Sequence, residues 1–332
     1  MNYNISILGG GSWGTAVSKL LSENNHNVKI WFRNEKKAEI VKKTRENKHY
    51  LPDIKIPEEV YITSDIKEAV EGAEIIVLAV PTQEIRGLIT GNIELFKKDA
   101  VLVNLAKGLE KDTLYRISQV CEELLPENRF VVLSGPSHAE EVALEMPTTV
   151  VAASLDEEAA KMVQDIFMSD YFRVYINTDI IGVEIGGALK NVIALAVGIS
   201  DGLGFGDNTK AAIINRGIHE IAKLAEKMGA DRLTFLGLSG IGDLVVTCTS
   251  EHSRNRRAGI LLGKGYTKEE AAEEVGMVVE GIITTHAAYQ MAKKSEVEMP
   301  IVNELYAVLY SDHKAEDAVD RLMKRNKKHE QH

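Results

Sequence analysis

The sequence predicts an α/β fold, in which a doubly wound N-terminal domain is followed by an all-α C-terminal domain. In the first half, short β-branched runs alternate with amphipathic segments. These runs are almost continuously apolar, as at residues 75–80, which is typical of strands buried on both faces of a parallel sheet. After about Glu184 such runs nearly vanish, and segments with helical period follow. The length of 332 residues suits two domains, which we expect to be residues 1–185 and 186–332.

The individual elements follow from these patterns. We expect strands at residues 4–8, 28–32, 74–80, 101–105, 129–133, 148–153 and 172–176. We expect helices between them at residues 15–22, 36–43, 83–88 and 114–125. In the C-terminal domain we expect helices at residues 185–200, 209–228, 254–262, 268–275, 284–294 and 302–309. The charged end, residues 321–332, is expected to fray.

Composition and charge exclude several classes of protein. The net charge of −10 argues against binding to nucleic acid or to an anionic membrane surface, because both need an excess of Lys and Arg on one face. The two cysteines, Cys121 and Cys248, do not suggest a disulfide framework, so a reducing compartment is expected. No basic and apolar leader opens the chain, and we expect no run of the roughly 18–20 apolar residues needed to insert into a membrane. A cytoplasmic protein is predicted.

A glycine-rich turn directly follows the first strand. Gly9, Gly11 and Gly14 have the spacing G-x-G-x-x-G between a strand and a helix. In a Rossmann-type domain these glycines allow the tight turn, the approach of the backbone to a pyrophosphate, and close packing of helix on strand. The pyrophosphate would lie at the N-terminus of the helix. The N-terminal domain is therefore predicted to bind a dinucleotide, with a structural glycine turn as the alternative.

The end of the second predicted strand bears on the choice between NADH and NADPH. An NAD-selective site normally has Asp or Glu about 20 residues beyond the glycines. Here the sequence reads Phe32-Arg33-Asn34. Because an arginine can bind a 2′-phosphate, Arg33 permits NADPH as well as NADH. The alternative is that Arg33 is a solvated surface charge.

One lysine lies within an apolar helix. Lys190 is the only ionisable residue between Glu184 and Asp201. Burial of this charge is costly and would lower its pKa, which suits a general acid or base. Alternatively, Lys190 extends from a helix end with its stem packed on apolar surface. Asn191, beside it, could orient a partner.

Other polar clusters occur near glycines. Lys107 follows a buried strand and is expected at the carboxyl edge of the sheet, where α/β proteins bind ligands. The segment 134–140 follows another such strand. The cation cluster at residues 253–257 opens a helix and suits one phosphate group better than a nucleic acid, because no aromatic residues are interleaved. The histidines have no ligand spacing, so no metal site is predicted.

Taken in order, these motifs resemble the soluble bacterial NAD(P)-dependent glycerol-3-phosphate dehydrogenases. The resemblance covers nearly the whole chain. It rests on G-G-G-S-W-G-T-A at 9–16, N-L-A-K-G at 104–108, S-G-P-S-H-A-E-E-V at 134–142, G-A-L-K-N-V at 187–192, G-D-N-T-K-A-A at 206–212, G-L-S-G-I-G-D-L at 237–244, S-R-N-R-R at 253–257 and V-V-E-G at 278–281.

The resemblance implies reversible reduction of dihydroxyacetone phosphate to glycerol 3-phosphate with NADPH or NADH, for phospholipid synthesis, in a homodimer. It makes residues 1–185 the cofactor domain and 186–332 the substrate-binding and catalytic domain, with Lys190 as general acid and base. Implied substrate contacts are Lys107, Gly135, Ser137, Lys190, Asp243, Ser253, Arg254 and Asn255. Implied cofactor contacts, with the glycines Gly9, Gly11 and Gly14, are Ser12, Trp13, Arg33, Tyr50, Lys107, Ala139, Arg254, Val278 and Glu280. His138 departs from the aromatic residue common in relatives, which leaves only local packing in doubt.

Two alternatives remain open. The β-hydroxyacid dehydrogenases have a similar layout, and Gly186 and Lys190 have their Gly-x-x-x-Lys spacing. Those enzymes bind a carboxylate, which the cluster at residues 253–255 disfavours. A non-catalytic dinucleotide-binding regulator is the other alternative, and it would have no need of Lys107, Lys190 and Asp243 together.

Overall fold

The N-terminal part of the chain is built on an eight-stranded sheet. The computed structural model describes residues 2–311, 313–327 and 329–330. The strands are β1 (Asn4–Leu8), β2 (Asn27–Trp31), β3 (Glu46–Asn47), β4 (Leu51–Lys55), β5 (Tyr61–Thr63), β6 (Ile75–Leu78), β7 (Val101–Asn104), β8 (Phe130–Ser134), β9 (Thr148–Ala153) and β10 (Phe172–Asn177). The order in the sheet is β10-β9-β8-β7-β6-β1-β2-β5, and β3 and β4 form a separate antiparallel pair.

The sheet is buried on both faces, as the apolar runs predict. Along β6, Ile75 and Val77 enter one hydrophobic cluster, whereas Ile76 and Leu78 enter another on the opposite face. Helices pack on both faces of the sheet. They are α1 (Ser12–Glu23), α2 (Glu35–Thr44), α3 (Ile66–Val70), α4 (Ile85–Thr90), α5 (Ile117–Leu124), α6 (Ala139–Ala143) and α7 (Glu157–Phe167).

The expectation of a wholly parallel sheet is wrong at one position. Strands β8 and β9 pair antiparallel, with Leu133 opposite Ala152, and β10 is parallel to β9. The last two strands therefore run against the other six. The apolar runs predict burial on both faces, but burial does not depend on strand direction, so the reversal leaves no signal in them.

The C-terminal part is helical. Its helices are α8 (Ile180–Gly202), α9 (Asp207–Lys227), α10 (Asp243–Thr249), α11 (Arg254–Gly263), α12 (Lys268–Val275), α13 (Glu280–Lys294), α14 (Pro300–Tyr310) and α15 (Ala315–Met323). A 3₁₀ turn, Arg232–Leu236, and a π-helical turn, Leu238–Gly242, precede α10. Helix α8 runs through residues 185 and 186, and the division into two domains there stays a prediction.

Helix α8 is the central element of this region. By length and its mean hydropathy of 1.8 it could cross a membrane, so the expectation that no run approaches a membrane span is wrong. However, 89% of its most apolar stretch is buried inside the protein, against α9, α10, α11 and α13. A core helix that other helices surround is apolar on all sides for the same physical reason as a membrane helix.

Glycines bring α11 unusually close to α8. A Cβ at Gly198 would lie 2.2 Å from the Arg256 carbonyl oxygen, and one at Gly259 would lie 2.2 Å from the Leu195 carbonyl oxygen. The same contact repeats one turn later at Gly202. The two backbones therefore touch, which fixes α11 relative to the C-terminal half of α8.

The expected strands all exist, and the bounds of β1, β9 and α12 match the prediction residue for residue. Three short strands, β3 to β5, were not expected, nor were helices α3, α7, α10 and α15. The expectation of a frayed end is wrong where α15 continues to Met323. Within that end, Lys328, Gln331 and His332 lie outside the described residues.

Candidate active site

A buried carboxylate joins two lysines from distant parts of the chain. Asp243, the first residue of α10, is 1% exposed. The Lys190 Nζ, from the middle of α8, donates to its Oδ1, and the Lys107 Nζ, from just beyond β7, donates to its Oδ2 at 2.8 Å. Lys190 also donates to the Thr247 Oγ1 at 2.8 Å, and Lys107 to the Gly135 carbonyl oxygen at 2.8 Å. Lys190 is therefore a buried, paired lysine within a helix, and the alternative of a lysine extending from a helix end is wrong.

Small residues allow these segments to converge. A Cβ at Gly187 would lie 2.9 Å from the Ser134 Oγ and 3.7 Å from the Lys107 Cγ. A Cβ at Gly186 would lie 2.6 Å from the Ser239 carbonyl oxygen. The ends of β7 and β8 and the π-helical turn can thus contact α8 directly. The π-helical turn leads directly into α10, which begins with Asp243.

The charges of this cluster alter one another. Burial lowers the pKa of Lys190 to about 8, with Lys107 adding to the decrease and Asp243 opposing it. Burial alone would raise the pKa of Asp243, but the two lysines hold it below its ordinary value. The carboxylate therefore stays ionised, whereas Lys190 can gain or lose a proton near neutral pH. This behaviour suits a general acid and base.

A second polar cluster lies at the start of α11. Ser253 caps this helix, and its Oγ accepts a backbone N–H of the first turn. The Asn255 Nδ2 donates to the Asn191 Oδ1 at 2.9 Å, and the Asn255 Oδ1 accepts the Gly281 N–H at 2.8 Å. The Asn191 Nδ2 donates to the Lys107 carbonyl oxygen at 3.1 Å. These bonds tie α11 and α13 to the residues that flank the lysine pair.

Arg254 connects the same helix start to the glycine-rich turn. Its Nη2 donates to the Ser12 Oγ at 3.0 Å, and that hydroxyl donates to the Tyr50 carbonyl oxygen at 2.7 Å. Burial lowers the pKa of Arg254 from its ordinary value, yet an arginine remains charged at neutral pH. The N-termini of α1 and α11 thus face a common space, and each brings free backbone N–H groups to it.

A cleft of about 1150 Å³ runs along the carboxyl ends of β1, β2 and β6 from this point. Gly9 has φ +132°, and a Cβ there would lie 2.6 Å from the Ala79 backbone. A Cβ at Gly14 would lie 1.9 Å from the Gly9 carbonyl oxygen, whereas one at Gly11 would project into open space. The turn therefore packs tightly on the sheet side and leaves its backbone open to the cleft, as a phosphate-binding turn requires.

Comparison with known proteins decides the family. The family model described as "NAD-dependent glycerol-3-phosphate dehydrogenase N-terminus" matches residues 4–160, and the corresponding C-terminus model matches residues 179–320. The chain belongs to the NAD-dependent glycerol-3-phosphate dehydrogenase family. It is 54% identical over 328 residues to the glycerol-3-phosphate dehydrogenase (NAD(P)+) of Thermoanaerobacter sp. (strain X514), covering 99% of each chain. It is also 54% identical over 329 residues to that of Bacillus subtilis (strain 168), covering 98% of this chain and 95% of the relative.

Solved structures agree with this membership. The glycerol-3-phosphate dehydrogenase of Coxiella burnetii superimposes with a TM-score of 0.94 at 37% identity, covering 98% of this chain and 99% of the other. A D-mandelate dehydrogenase superimposes with a TM-score of 0.66 at 15% identity, which shows a shared fold alone. The predicted oxidoreductase class, Rossmann-type α/β fold and NAD(P) dependence are confirmed for this family member.

The residues present fit the NAD(P) cofactor of the glycerol-3-phosphate dehydrogenases. The open space at Gly11 and the free N–H groups at the start of α1 suit a pyrophosphate. Most of the positions that the sequence assigns to the cofactor line this one cleft, namely Gly9, Gly11, Ser12, Trp13, Arg33, Tyr50, Arg254, Val278 and Glu280.

Three assigned cofactor positions do not line the cleft. Gly14 packs beneath it against Gly9, as predicted for the third glycine. Ala139 is 9% exposed at the start of α6, which packs against α1. Lys107 lies one residue beyond the cleft-lining Ala106 and is bonded to Asp243 instead. Their contacts with a cofactor stay predictions.

The assigned substrate residues converge on the lysine pair. Lys107, Gly135, Lys190 and Asp243 are directly bonded, and Asn255 joins them through Asn191. Gly135 has φ +138°, and the Ser137 Oγ donates back to its carbonyl oxygen at 2.9 Å. The candidate site is therefore continuous from the glycine turn, through Arg254, to Lys190.

Sequence reasoning missed one residue of this site. Thr247 lies one helical turn after Asp243 on α10, accepts from Lys190, and donates to the Asp243 carbonyl oxygen at 2.6 Å. Its position four residues after an assigned aspartate would have been the signal, because such residues share a helix face. The sequence pattern predicts no helix over residues 243–249, so it does not indicate that Asp243 and Thr247 share a helix face. Cys248, beside it, is buried, and burial raises its pKa to about 12.

Proposed function

We propose that this chain reduces dihydroxyacetone phosphate reversibly to glycerol 3-phosphate with NADH or NADPH, and that Lys190 is the general acid of the reduction. The observation that carries the proposal is the buried Lys190–Asp243–Lys107 cluster, which includes the residue next to the cleft-lining Ala106. Burial lowers the pKa of Lys190 to about 8, so near neutral pH the side chain can both donate and accept a proton.

Each residue of the cluster has a distinct part in the proposed reaction. When bound, the reduced nicotinamide supplies a hydride to the ketone carbon. Lys190 donates its proton to the ketone oxygen as negative charge develops there, and in the reverse direction it accepts the hydroxyl proton. Lys107 adds a second positive charge near that oxygen. Asp243 holds both ammonium groups in place, since it bonds one with each carboxylate oxygen.

The start of α11 is suited to the substrate phosphate. Arg254 supplies a charge that stays positive, Asn255 an amide, and the helix N-terminus free N–H groups. Ser253 can still donate its hydroxyl proton while it accepts the capping N–H. Binding the phosphate here would use binding energy remote from the ketone to orient the reacting carbon beside Lys190. This cationic cluster is the observation that disfavours a β-hydroxyacid substrate, which has a carboxylate instead.

Further assignments come from the resemblance. The contacts of Gly135 and Ser137 with substrate, and those of Trp13, Tyr50, Ala139, Val278 and Glu280 with cofactor, belong to this proposal. So do the division into a cofactor domain, 1–185, and a substrate-binding and catalytic domain, 186–332, the cytoplasmic location, the homodimer and the supply of glycerol 3-phosphate for membrane phospholipids. Light scattering on a size-exclusion column tests the dimer, which a monomer mass would contradict.

The substrate proposal is tested by the loss of reduced-nicotinamide absorbance on mixing with dihydroxyacetone phosphate. We expect turnover with this ketone and no comparable turnover with 2-keto acids, or with 3-hydroxy acids in the reverse direction. Preference for an acid would contradict the proposal, and binding of NADH without turnover of any of them would favour a regulatory protein.

The phosphate contact is tested by Arg254→Gln, with Arg129→Gln as control because Arg129 is an exposed cation outside the cluster at residues 253–257. We expect Arg254→Gln to raise the KM for dihydroxyacetone phosphate by about tenfold or more, the value of a charged hydrogen bond, and to change the slow turnover of dihydroxyacetone far less. Equal effects on both ketones would contradict the assignment.

A further inference from the structure

An ion pair lines the cleft just beyond the end of β2. Arg33 follows β2, and Glu84 ends the 3₁₀ turn Thr82–Glu84 that follows β6. The Arg33 Nη1 donates to the Glu84 Oε2 at 2.8 Å, and both residues line the cleft. The Arg33 side chain is 75% exposed and that of Glu84 is 52% exposed. A ligand in the cleft can therefore reach both charges.

The ion pair lies where dinucleotide sites recognise the ribose 2′ position. In doubly wound dinucleotide sites, the residue at the end of the second strand reads the ribose 2′ position, with an acid selecting the hydroxyl and an arginine accommodating the phosphate. Here the arginine lies two residues beyond the end of β2, and Glu84, from the 3₁₀ turn after β6, accepts its hydrogen bond. Both chemistries therefore meet at one position.

The other two cations that line the cleft, Lys37 and Arg254, contact residues other than Glu84. The Lys37 Nζ lies over the Tyr50 ring, 5.1 Å from its centroid, and the Arg254 guanidinium donates to Ser12. Among the cleft-lining cations of the described chain, Arg33 is the one that directly follows β2, where a dinucleotide site places the ribose 2′ position. Its present partner is a carboxylate, which a phosphate would have to displace.

We propose that Glu84 is a specificity-determining residue, which lowers the affinity for 2′-phosphorylated nucleotides by pairing with Arg33. This inference rests on the proposed dinucleotide site and deepens it. A 2′-phosphate must break the Arg33–Glu84 hydrogen bond and then lie near the Glu84 charge. A 2′-hydroxyl requires neither, and can donate to the carboxylate. Glu84 therefore shifts the balance of this family member toward NADH.

The expected effect is moderate, because both side chains are well exposed and water screens their attraction. Removal of the Glu84 charge is expected to tighten binding of a 2′-phosphate by about three- to fivefold. Glu84 thus adjusts the preference between two usable cofactors.

The experiment is calorimetric binding of adenosine 2′,5′-bisphosphate and of 5′-AMP to the wild type and to Glu84→Gln. We expect Glu84→Gln to tighten binding of the bisphosphate about three- to fivefold and to change binding of 5′-AMP less than twofold. Glu94→Gln is the matched control, because Glu94 is exposed and does not line the cleft. This substitution removes the same charge as Glu84→Gln. It should leave both affinities within twofold. In an Arg33→Gln background the gain from Glu84→Gln should shrink, because the displaced pair is already absent.

The outcomes separate this inference from the proposed function. Wild-type protein that binds both nucleotides, with an unchanged affinity ratio in Glu84→Gln, would overturn the role of Glu84 alone. Equal tightening of both nucleotides, or the same gain from Glu94→Gln, would overturn it as well. Wild-type protein that binds neither nucleotide would overturn the dinucleotide site. The ratio of kcat/KM for NADPH to that for NADH should rise in Glu84→Gln by the same factor as the binding ratio.

Discussion

Lys190 and Asp243, 53 residues apart in the chain, form an ion pair that is buried on both sides, with the lysine 6% and the aspartate 1% exposed. Such a pair is expensive to desolvate, and breaking it leaves one charge uncompensated. The second lysine, Lys107, occupies the other oxygen of the same carboxylate. One carboxylate therefore holds two cations, and this excess of positive charge helps keep the pKa of Lys190 low.

The pH dependence of the two reaction directions should be opposite. Reduction needs the protonated Lys190, so its kcat should fall as pH rises through about 8, the pKa to which burial lowers this lysine. Oxidation of glycerol 3-phosphate needs the neutral lysine, so its kcat should rise with pH to a plateau above about 8. Steady-state rates in both directions across this range measure the effect. Profiles that change in the same direction would contradict the role of Lys190.

Asp243→Asn should impair the enzyme by altering Lys190. Without the carboxylate, the two ammonium groups repel each other, so the pKa of Lys190 should fall further. We expect the kcat of reduction to decrease by at least about tenfold and its alkaline limb to move to lower pH. Asp207→Asn is the control, because this aspartate is fully exposed at the start of α9. A reduced kcat with an unmoved alkaline limb would show that Asp243 acts in some other way.

Gly259→Ala should destabilise the contact between α8 and α11. The new Cβ would lie 2.2 Å from the Leu195 carbonyl oxygen and 2.8 Å from the Gly198 Cα, so the helices must separate. A loss of about 1–3 kcal/mol in the free energy of unfolding is expected, together with a higher KM for dihydroxyacetone phosphate, because α11 carries Arg254. Gly87→Ala on α4 is the control, since its Cβ would contact nothing within 4 Å. Denaturant unfolding of both variants tests this, and equal stabilities would refute it.

Glu220 should make stability depend on pH. This carboxylate is buried and accepts the backbone N–H groups of Ile301 and Val302 at the start of α14. Burial raises its pKa from 4.5 to about 7 despite these bonds, so between these values the folded chain binds more protons than the unfolded chain. Relative to Glu220→Gln, the wild type should therefore lose stability as pH rises from about 4.5 to about 7.

Urea unfolding of the wild type and of Glu220→Gln at several pH values within this window measures the difference. The comparison with the variant removes the contribution of the other titrating groups, which both proteins share. A stability difference that stays constant across the window would mean that Glu220 keeps its ordinary pKa.

The sequence predicts the parts of this fold that depend on local patterns. The bounds of β1 and β9 were predictable because each is a short run rich in β-branched residues beside a glycine or a proline, and Lys190 because it is an isolated charge in an apolar helix. The short strand β5 carries too few residues for a pattern. The helix α10 is only seven residues long and follows a glycine-rich turn, so neither it nor Thr247 was expected.

Long-range partners were beyond prediction from the residues themselves. The family resemblance implies that Lys107, Lys190 and Asp243 share a site. No local sequence pattern indicates that the Asp243 carboxylate accepts hydrogen bonds from both lysines. The partner of Arg33 illustrates the same limit, because Glu84 lies 51 residues away in the 3₁₀ turn that follows a different strand. Such pairs depend on the order of strands in the sheet, which the apolar pattern does not encode.

The role of Lys190 as general acid is tested most directly by the turnover of Lys190→Ala with NADH and dihydroxyacetone phosphate. Binding of NADH to the same variant is measured by fluorescence. We expect kcat to fall by about 10²–10⁴-fold, the usual contribution of a positioned proton donor, while the dissociation constant of NADH changes little because Lys190 does not line the cofactor cleft. Near-normal turnover by a folded Lys190→Ala protein that binds NADH would contradict the role of Lys190 as proton donor.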